Sequence, residues 1–195
     1  MKRRSSLWDD IVADPHGETR LATIQEYVTY KLSSLAGRQF HHQVTPIQTI
    51  PLTEITTHAG DPEARMVGIY LQIHGDMEGQ SILLLSPQNA LTLASWMMDE
   101  MPRELGLIER SALGEAGNIV LSGFLNAMAR VARIPQRIFP SPPAVMVDML
   151  GAILSLLVVP VSTKNDELMI IETIFDTSDH AVQIRFWILP DLLAG

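Results

Sequence analysis

MVGIYLQIHGDMEGQSILLLSP, Met66 to Pro87, and MIIETIFDTSDHAVQIRFWILP, Met169 to Pro190, align end to end without a gap. Each is a pair of apolar runs around a polar turn, closed by Pro, which is the pattern of a β-hairpin. Finding it twice implies an internal repeat. Upstream, an offset of 97 residues superposes Asp14 on Ser111, Glu18 on Glu115, Ile24 on Leu121, Tyr27 on Phe124 and Pro46 on Pro143. Over the hairpins the offset becomes 103, so a few extra residues fall between Pro143 and Met169, near the Val158 to Asp166 connection.

Each half therefore reads as a long helix, a strand and a hairpin, and the first half adds a helix over Pro87 to Met98 (PQNALTLASWMM). The apolar face of such a helix and that of its sheet bury each other, and two units related by a pseudo-twofold axis would share one sheet. The fold class expected is α+β, a largely antiparallel sheet with two long helices on its surface. Residues 1–195 read as a single domain of two repeats, about 14–100 and about 103–192. No Gly/Ser/Pro-rich linker separates them, only the tight punctuation EMPRE, Glu100 to Glu104.

The second-half helix carries the chemistry. In SALGEAGN, Ser111, Glu115 and Asn118 stand at i, i+4 and i+7, within roughly 60° of one another on a helix. The same stripe continues to Ser122 and Asn126, while Leu113, Ala116, Val120, Leu121 and Phe124 form the apolar side. Between Ser111 and Ala129 the only charged residue is Glu115. A neutral, hydrogen-bonding stripe suits docking onto another surface better than solvation. Gly114 borders the stripe, where it would leave Glu115 and Asn118 projecting beside room for a partner's backbone. Gly117 points to the apolar side and would permit close packing. In the first half Asn118 is replaced by Leu21. Asp14 before Pro15 reads as an N-cap and Glu18 as a first-turn anion favoured by the helix dipole, so that half reads as a degenerate copy.

Composition narrows the function classes. A formal net charge of -8 argues against sequence-independent binding to nucleic acid or an anionic membrane. The absence of Cys excludes disulfides, thiolate metal sites and a Cys nucleophile. The opening MKRRSSLWDDIV is basic but lacks an apolar core, so it does not read as a secretory signal. The longest uncharged apolar run, Met149 to Thr163, is too short for a bilayer and contains Pro160, so it reads as buried strand. A cytoplasmic protein is the expectation. His16, His41, His42, His58, His74 and His180 show no metal-ligand spacing, and no nucleotide-binding Gly pattern is present.

The chain resembles the CheC, CheX and FliY phosphatases of bacterial chemotaxis. The resemblance covers nearly its whole length and is strongest after Leu107, where SALGEAGNIVLSGFLNAMA and VMVDMLGAI look like the second half of CheC. FliY is less similar, since a chain ending at Gly195 leaves no room for its flagellar-switch domain. Ser111, Glu115 and Asn118 match the family pattern of Asp or Ser, Glu and Asn. For the Pro that follows in the family, FPSPPAV offers Pro140, Pro142 or Pro143, none at the usual distance.

The resemblance implies hydrolysis of the phosphoaspartate of a CheY-like response regulator. Asn118 would position the attacking water and Glu115 would anchor the receiver through its active-site lysine, both as catalytic residues. Ser111 and Ser122 would contribute to binding. No cofactor of its own is implied, and Mg²⁺ is expected in the substrate receiver. Phosphoryl transfer to water has a loose transition state, so orienting the water matters more than a strong base. A neutral carboxamide can do this, whereas a carboxylate would repel the phosphoryl oxygens. The alternative is a non-catalytic adaptor that uses the same helix faces to bind a response regulator or a CheD-type deamidase.

Overall fold

The computed structural model describes residues 17–132, 137–158 and 166–191. Helix α1 (Gly17–Ala36) leads through strands β1 (Phe40–Val44) and β2 (Gln48–Pro51) to a short helix, α2 (Ile55–Ala59). The hairpin β3 (Arg65–Gly75) and β4 (Gly79–Leu85) follows, then α3 (Pro87–Met98). Ser86 caps α3 by accepting from the Asn89 N–H at 3.1 Å, and Pro87 stands at its first turn, where no amide is needed. The second half runs α4 (Leu107–Ala132), β5 (Ile138–Pro140), β6 (Ala144–Met149), α5 (Leu150–Val158) and the hairpin β7 (Glu167–Thr177) and β8 (Gln183–Pro190).

The strands form one eight-stranded sheet in the order β1-β7-β8-β4-β3-β5, with β2 also on β7 and β6 also on β3. Every pairing is antiparallel. The two hairpins are thus neighbours, joined where β4 meets β8 from Gly79↔Pro190 to Leu84↔Arg185. The short strands cross between halves. β1 and β2 pair with β7, while β5 and β6 pair with β3. Each hairpin is completed by strands from the other end of the chain.

Both faces of the sheet are covered. Val67, Ile69, Leu71 and Ile73 of β3 join Ile171 and Phe175 of β7 in one core with Leu21, Ile24 and Val28 of α1 and Leu113, Val120, Leu121 and Phe124 of α4. On the opposite face, Ile82, Leu84, Trp187 and Leu189 pack with Ile55 of α2 and with Leu150, Ile153, Leu154 and Leu157 of α5. This is the α+β architecture read from the sequence, with a second helical layer that the sequence reading lacked.

Two details of that reading are corrected. Leu150–Val158, read as buried strand, is helix α5. Its buried residues Leu150, Ile153, Leu154 and Leu157 stand at helical spacing, and its uncharged remainder hid the period. The gapless superposition of the hairpins is also one residue out of step in their first strands. Odd-numbered residues of β3 and of β7 face the same core, so an offset of 103 would put one strand's inward face on the other's outward face. The proposed extra residues near Val158 to Asp166 lie largely outside the described residues, as does Asp14.

Candidate functional site

Helix α4 is pressed onto the sheet along its apolar side. Leu113, Ala116, Val120, Leu121 and Phe124 are buried there. The closest approach is at Gly117, where an added Cβ would stand 2.6 Å from Ile69 Cγ2 and 3.3 Å from Leu71 Cδ1. Gly at this position sets the depth at which the helix sits on β3, as its sequence position suggested. Helix α1 lies alongside α4, with Val28, Tyr27 and Lys31 bordering Gly123 at 3.8–4.0 Å from the position of an added Cβ. The helix bearing the motif is therefore braced from beneath and from one side.

The polar stripe faces outward. Ser111, Glu115 and Asn126 are exposed, and Asn118 and Ser122 are half-buried. The Ser122 hydroxyl donates to Asn118 Oδ1 across a long 3.4 Å contact. A carboxamide oxygen has two lone pairs, so the second stays available to an external donor. Glu115 makes no hydrogen bond or ion pair with any other described residue. An exposed carboxylate with no partner among the described residues, one turn from a half-buried carboxamide, can receive a cation while the carboxamide orients a small polar molecule beside it.

Gly114 does not open the stripe to a partner's backbone. It is buried, and an added Cβ would meet Pro143 Cγ at 3.2 Å and Val145 Cγ2 at 3.7 Å. The space expected beside Glu115 is filled by the start of β6. Of the three candidate prolines, Pro143 packs at Gly114 of the motif helix, while Pro140 pairs with Ile73 at the end of β5. Ser141 fastens the intervening loop to β3: its N–H donates to Gln72 O at 2.9 Å and its Oγ accepts from Gln72 N–H at 2.9 Å.

Among the described residues, helix α1 presents no outward carboxamide at the position equivalent to Asn118. Leu21, which the repeat equates with Asn118, is only 2% exposed and belongs to the core. One turn on, Gln25 is buried and its Nε2 donates inward to Thr173 Oγ1 at 2.8 Å. The residues of α1 described as exposed are instead Thr19, Thr23, Glu26, Tyr30, Lys31 and Ser34. Glu18 falls in its first turn.

Other polar groups serve local structure. The Thr29 hydroxyl lies 2.9 Å from His42 Nδ1, and burial holds the His42 pKa below its ordinary value, with Glu26 opposing and His41 adding to the effect. His41 meets Ser178, and His180 meets Asp176. A network missed in the sequence fastens α2 to the far face of the sheet. There buried Glu172 accepts from Trp187 Nε1 at 2.8 Å and pairs with Arg185 Nε at 3.0 Å, while Arg185 also donates to Ala59 O at 2.6 Å. Among the described residues no group of three or more His, Asp or Glu could hold a metal ion, and no helix is long and apolar enough to cross a membrane.

Comparison with known proteins points to one group. A model of the CheC-like family matches residues 108–147, from α4 into β6. The CheY-P phosphatase CheC of Bacillus subtilis (strain 168) is 25% identical over 167 residues, spanning 82% of this chain and 79% of that protein. The crystal structure of Thermotoga maritima FliY matches with a TM-score of 0.68 at 19% identity, over 88% of this chain and 86% of that one. The CheX-CheY-BeF3-Mg+2 complex from Borrelia burgdorferi matches with a TM-score of 0.55 at 18% identity, over 88% of this chain and 97% of that one. At these identities the two structures show a shared fold.

Proposed function

We propose, from the premise that the chain belongs to the family of CheC, CheX and FliY, that it hydrolyses the phosphoaspartate of a CheY-like receiver domain. The observation that carries this reading is the pairing of an exposed Glu115, without a partner among the described residues, with Asn118 on one outward stripe of a helix braced by the sheet. The names of two matched proteins support it: one is a CheY-P phosphatase, and the other was crystallised with CheY, beryllofluoride and Mg²⁺.

In this reading Glu115 receives the lysine of the receiver's active site, which sets the two proteins in register. One water then donates a hydrogen bond to the free lone pair of Asn118 Oδ1 and directs an oxygen lone pair at phosphorus. Its oxygen bonds to phosphorus as the bond to the aspartyl oxygen breaks. The carboxylate leaves with the electron pair, and the water's proton goes to the released phosphate. Positioning of this kind suits a loose transition state, where little base strength is required. Mg²⁺ and the acyl phosphate both belong to the substrate. Ser111 extends the contact surface, and Ser122 steadies the carboxamide.

The test is release of inorganic phosphate from a phosphorylated CheY-type receiver with and without this protein. Acceleration is expected. Glu115→Ala should weaken receiver engagement and turnover together, while Glu18→Ala on α1 leaves both nearly unchanged. Equal losses from the two variants would remove the one-site assignment. A non-catalytic adaptor, binding a receiver or a CheD-type deamidase, is the reading favoured by binding without faster phosphate release.

A further inference from the structure

Strand β1 ends the sheet: β7 borders it on one side, and among the described residues no strand lies on the other. The Phe40 N–H donates to Ser33 Oγ of α1 at 3.0 Å, away from β7. In an antiparallel ladder inward and outward groups alternate, so the N–H and C=O of His42 point to the open side as well. No other described residue takes either group. Open edges are commonly guarded by Pro or Lys. The opposite edge follows that rule, with Pro140 in β5 and Pro142 and Pro143 leading into β6, whereas β1, FHHQV, carries neither. A groove of about 420 Å³ runs beside β1, bordered by Glu26, Tyr30 and Ser33 of α1 and by Phe40, His41 and His42. Successive strand side chains point to opposite faces, so three in a row border one groove only where it meets the edge. Tyr30 is 68% exposed, and Glu26 is exposed with no hydrogen bond or ion pair to another described residue. Because burial lowers the His42 pKa, its imidazole does not offset that carboxylate at neutral pH.

We propose that this edge is a docking site for an extended basic segment of a partner protein, which adds a strand to β1 and sets a Lys or Arg side chain against Glu26 and Tyr30. The free N–H and C=O of His42 match a backbone in strand form, the mode of recognition in which a peptide extends a sheet. The carboxylate beside them, in a chain of net charge -8, selects a cationic side chain, and Tyr30 offers it an aromatic face. A second copy of the chain fits less well. Isologous pairing of β1 with itself would bring both Glu26 carboxylates to one seam, where like charges oppose it. The groove belongs to α1 and β1, apart from Glu115 and Asn118 of α4, so it stands whether or not the phosphatase reading holds.

The probe is an acetylated, amidated hexapeptide of alternating Thr and Lys, whose lysines share one face of a strand. Titrated into the full chain at millimolar peptide and low salt, it should bind saturably, one peptide per chain. Hydrogen exchange followed by NMR should show the His42 amide becoming protected. Glu26→Gln should weaken binding about two- to fivefold, the scale of one partly exposed ion pair. N-methylation of the peptide's central amides should weaken it about 10-fold or more through lost backbone pairing. A hexapeptide of alternating Thr and Glu should not bind, and Glu63→Gln, which removes an exposed carboxylate elsewhere, should leave binding unchanged. Absence of saturable binding would overturn the proposal, as would equal binding of the N-methylated peptide. Equal losses from Glu26→Gln and Glu63→Gln would reduce the effect to net charge and overturn it too. Sedimentation showing self-association that Glu26→Gln strengthens, with the His42 amide protected in the absence of peptide, would assign the edge to a second copy instead.

Discussion

Asn118 is half-buried on the outward side of α4, so Asn118→Ala removes a carboxamide without opening the core. Stability should shift by no more than about 0.5 kcal/mol, as measured by urea denaturation. If the carboxamide orients the attacking water, turnover should fall about 100-fold or more. Asn118→Asp should not recover it, because a carboxylate repels the phosphoryl oxygens whose charge the transition state spreads. Full activity in folded Asn118→Ala would remove the water-positioning role. The stripe was legible from residue spacing because helical period is a local property. The packing of Pro143 on Gly114 was not, since it depends on how a loop fastened to β3 returns beneath the helix.

At the scale of elements, α4 holds a built-in comparison. Gly117→Ala gains helix propensity of roughly 1 kcal/mol but places a methyl 2.6 Å from the branched, buried Ile69. Overpacking of this kind costs about 1–3 kcal/mol, so the net change should be destabilising. Gly123→Ala meets nothing nearer than 3.8 Å and should stabilise by some tenths of a kcal/mol up to about 1. Denaturant midpoints of the two variants check the opposite signs, and two changes in the same direction would refute the packing account. Elements were legible to the extent that one of their faces is polar. The amphipathic α1 and α4 and both hairpins were readable. In α5 the apolar run lacks charges that would mark a face. Much of the central sheet is buried on both sides, as Ser81 to Leu85 illustrates. The one-residue slip between β3 and β7 has a different cause: five residues lie between the paired Ile73 and Gly79 and six between the paired Asp176 and Gln183, a difference that a gapless alignment cannot absorb.

For the whole molecule, the crossed pairing of strands makes the halves interdependent. With β1 and β2 on β7, and β5 and β6 on β3, neither half carries the partners of its own first strands. Residues 1–100 and 103–195, produced separately, should each lack cooperative thermal unfolding, and producing them together should restore it. A cooperative transition from either half alone would contradict this. The interleaving has a temporal consequence during synthesis. Phe40 emerges from the ribosome long before Thr177, the residue it faces in the finished sheet. At about 5–20 residues per second, that strand waits roughly 7–30 s for its neighbour. Throughout translation its open amide edge is exposed to other nascent chains, so the yield of native protein in a cell should depend on chaperone supply more than the stability of the finished fold would suggest.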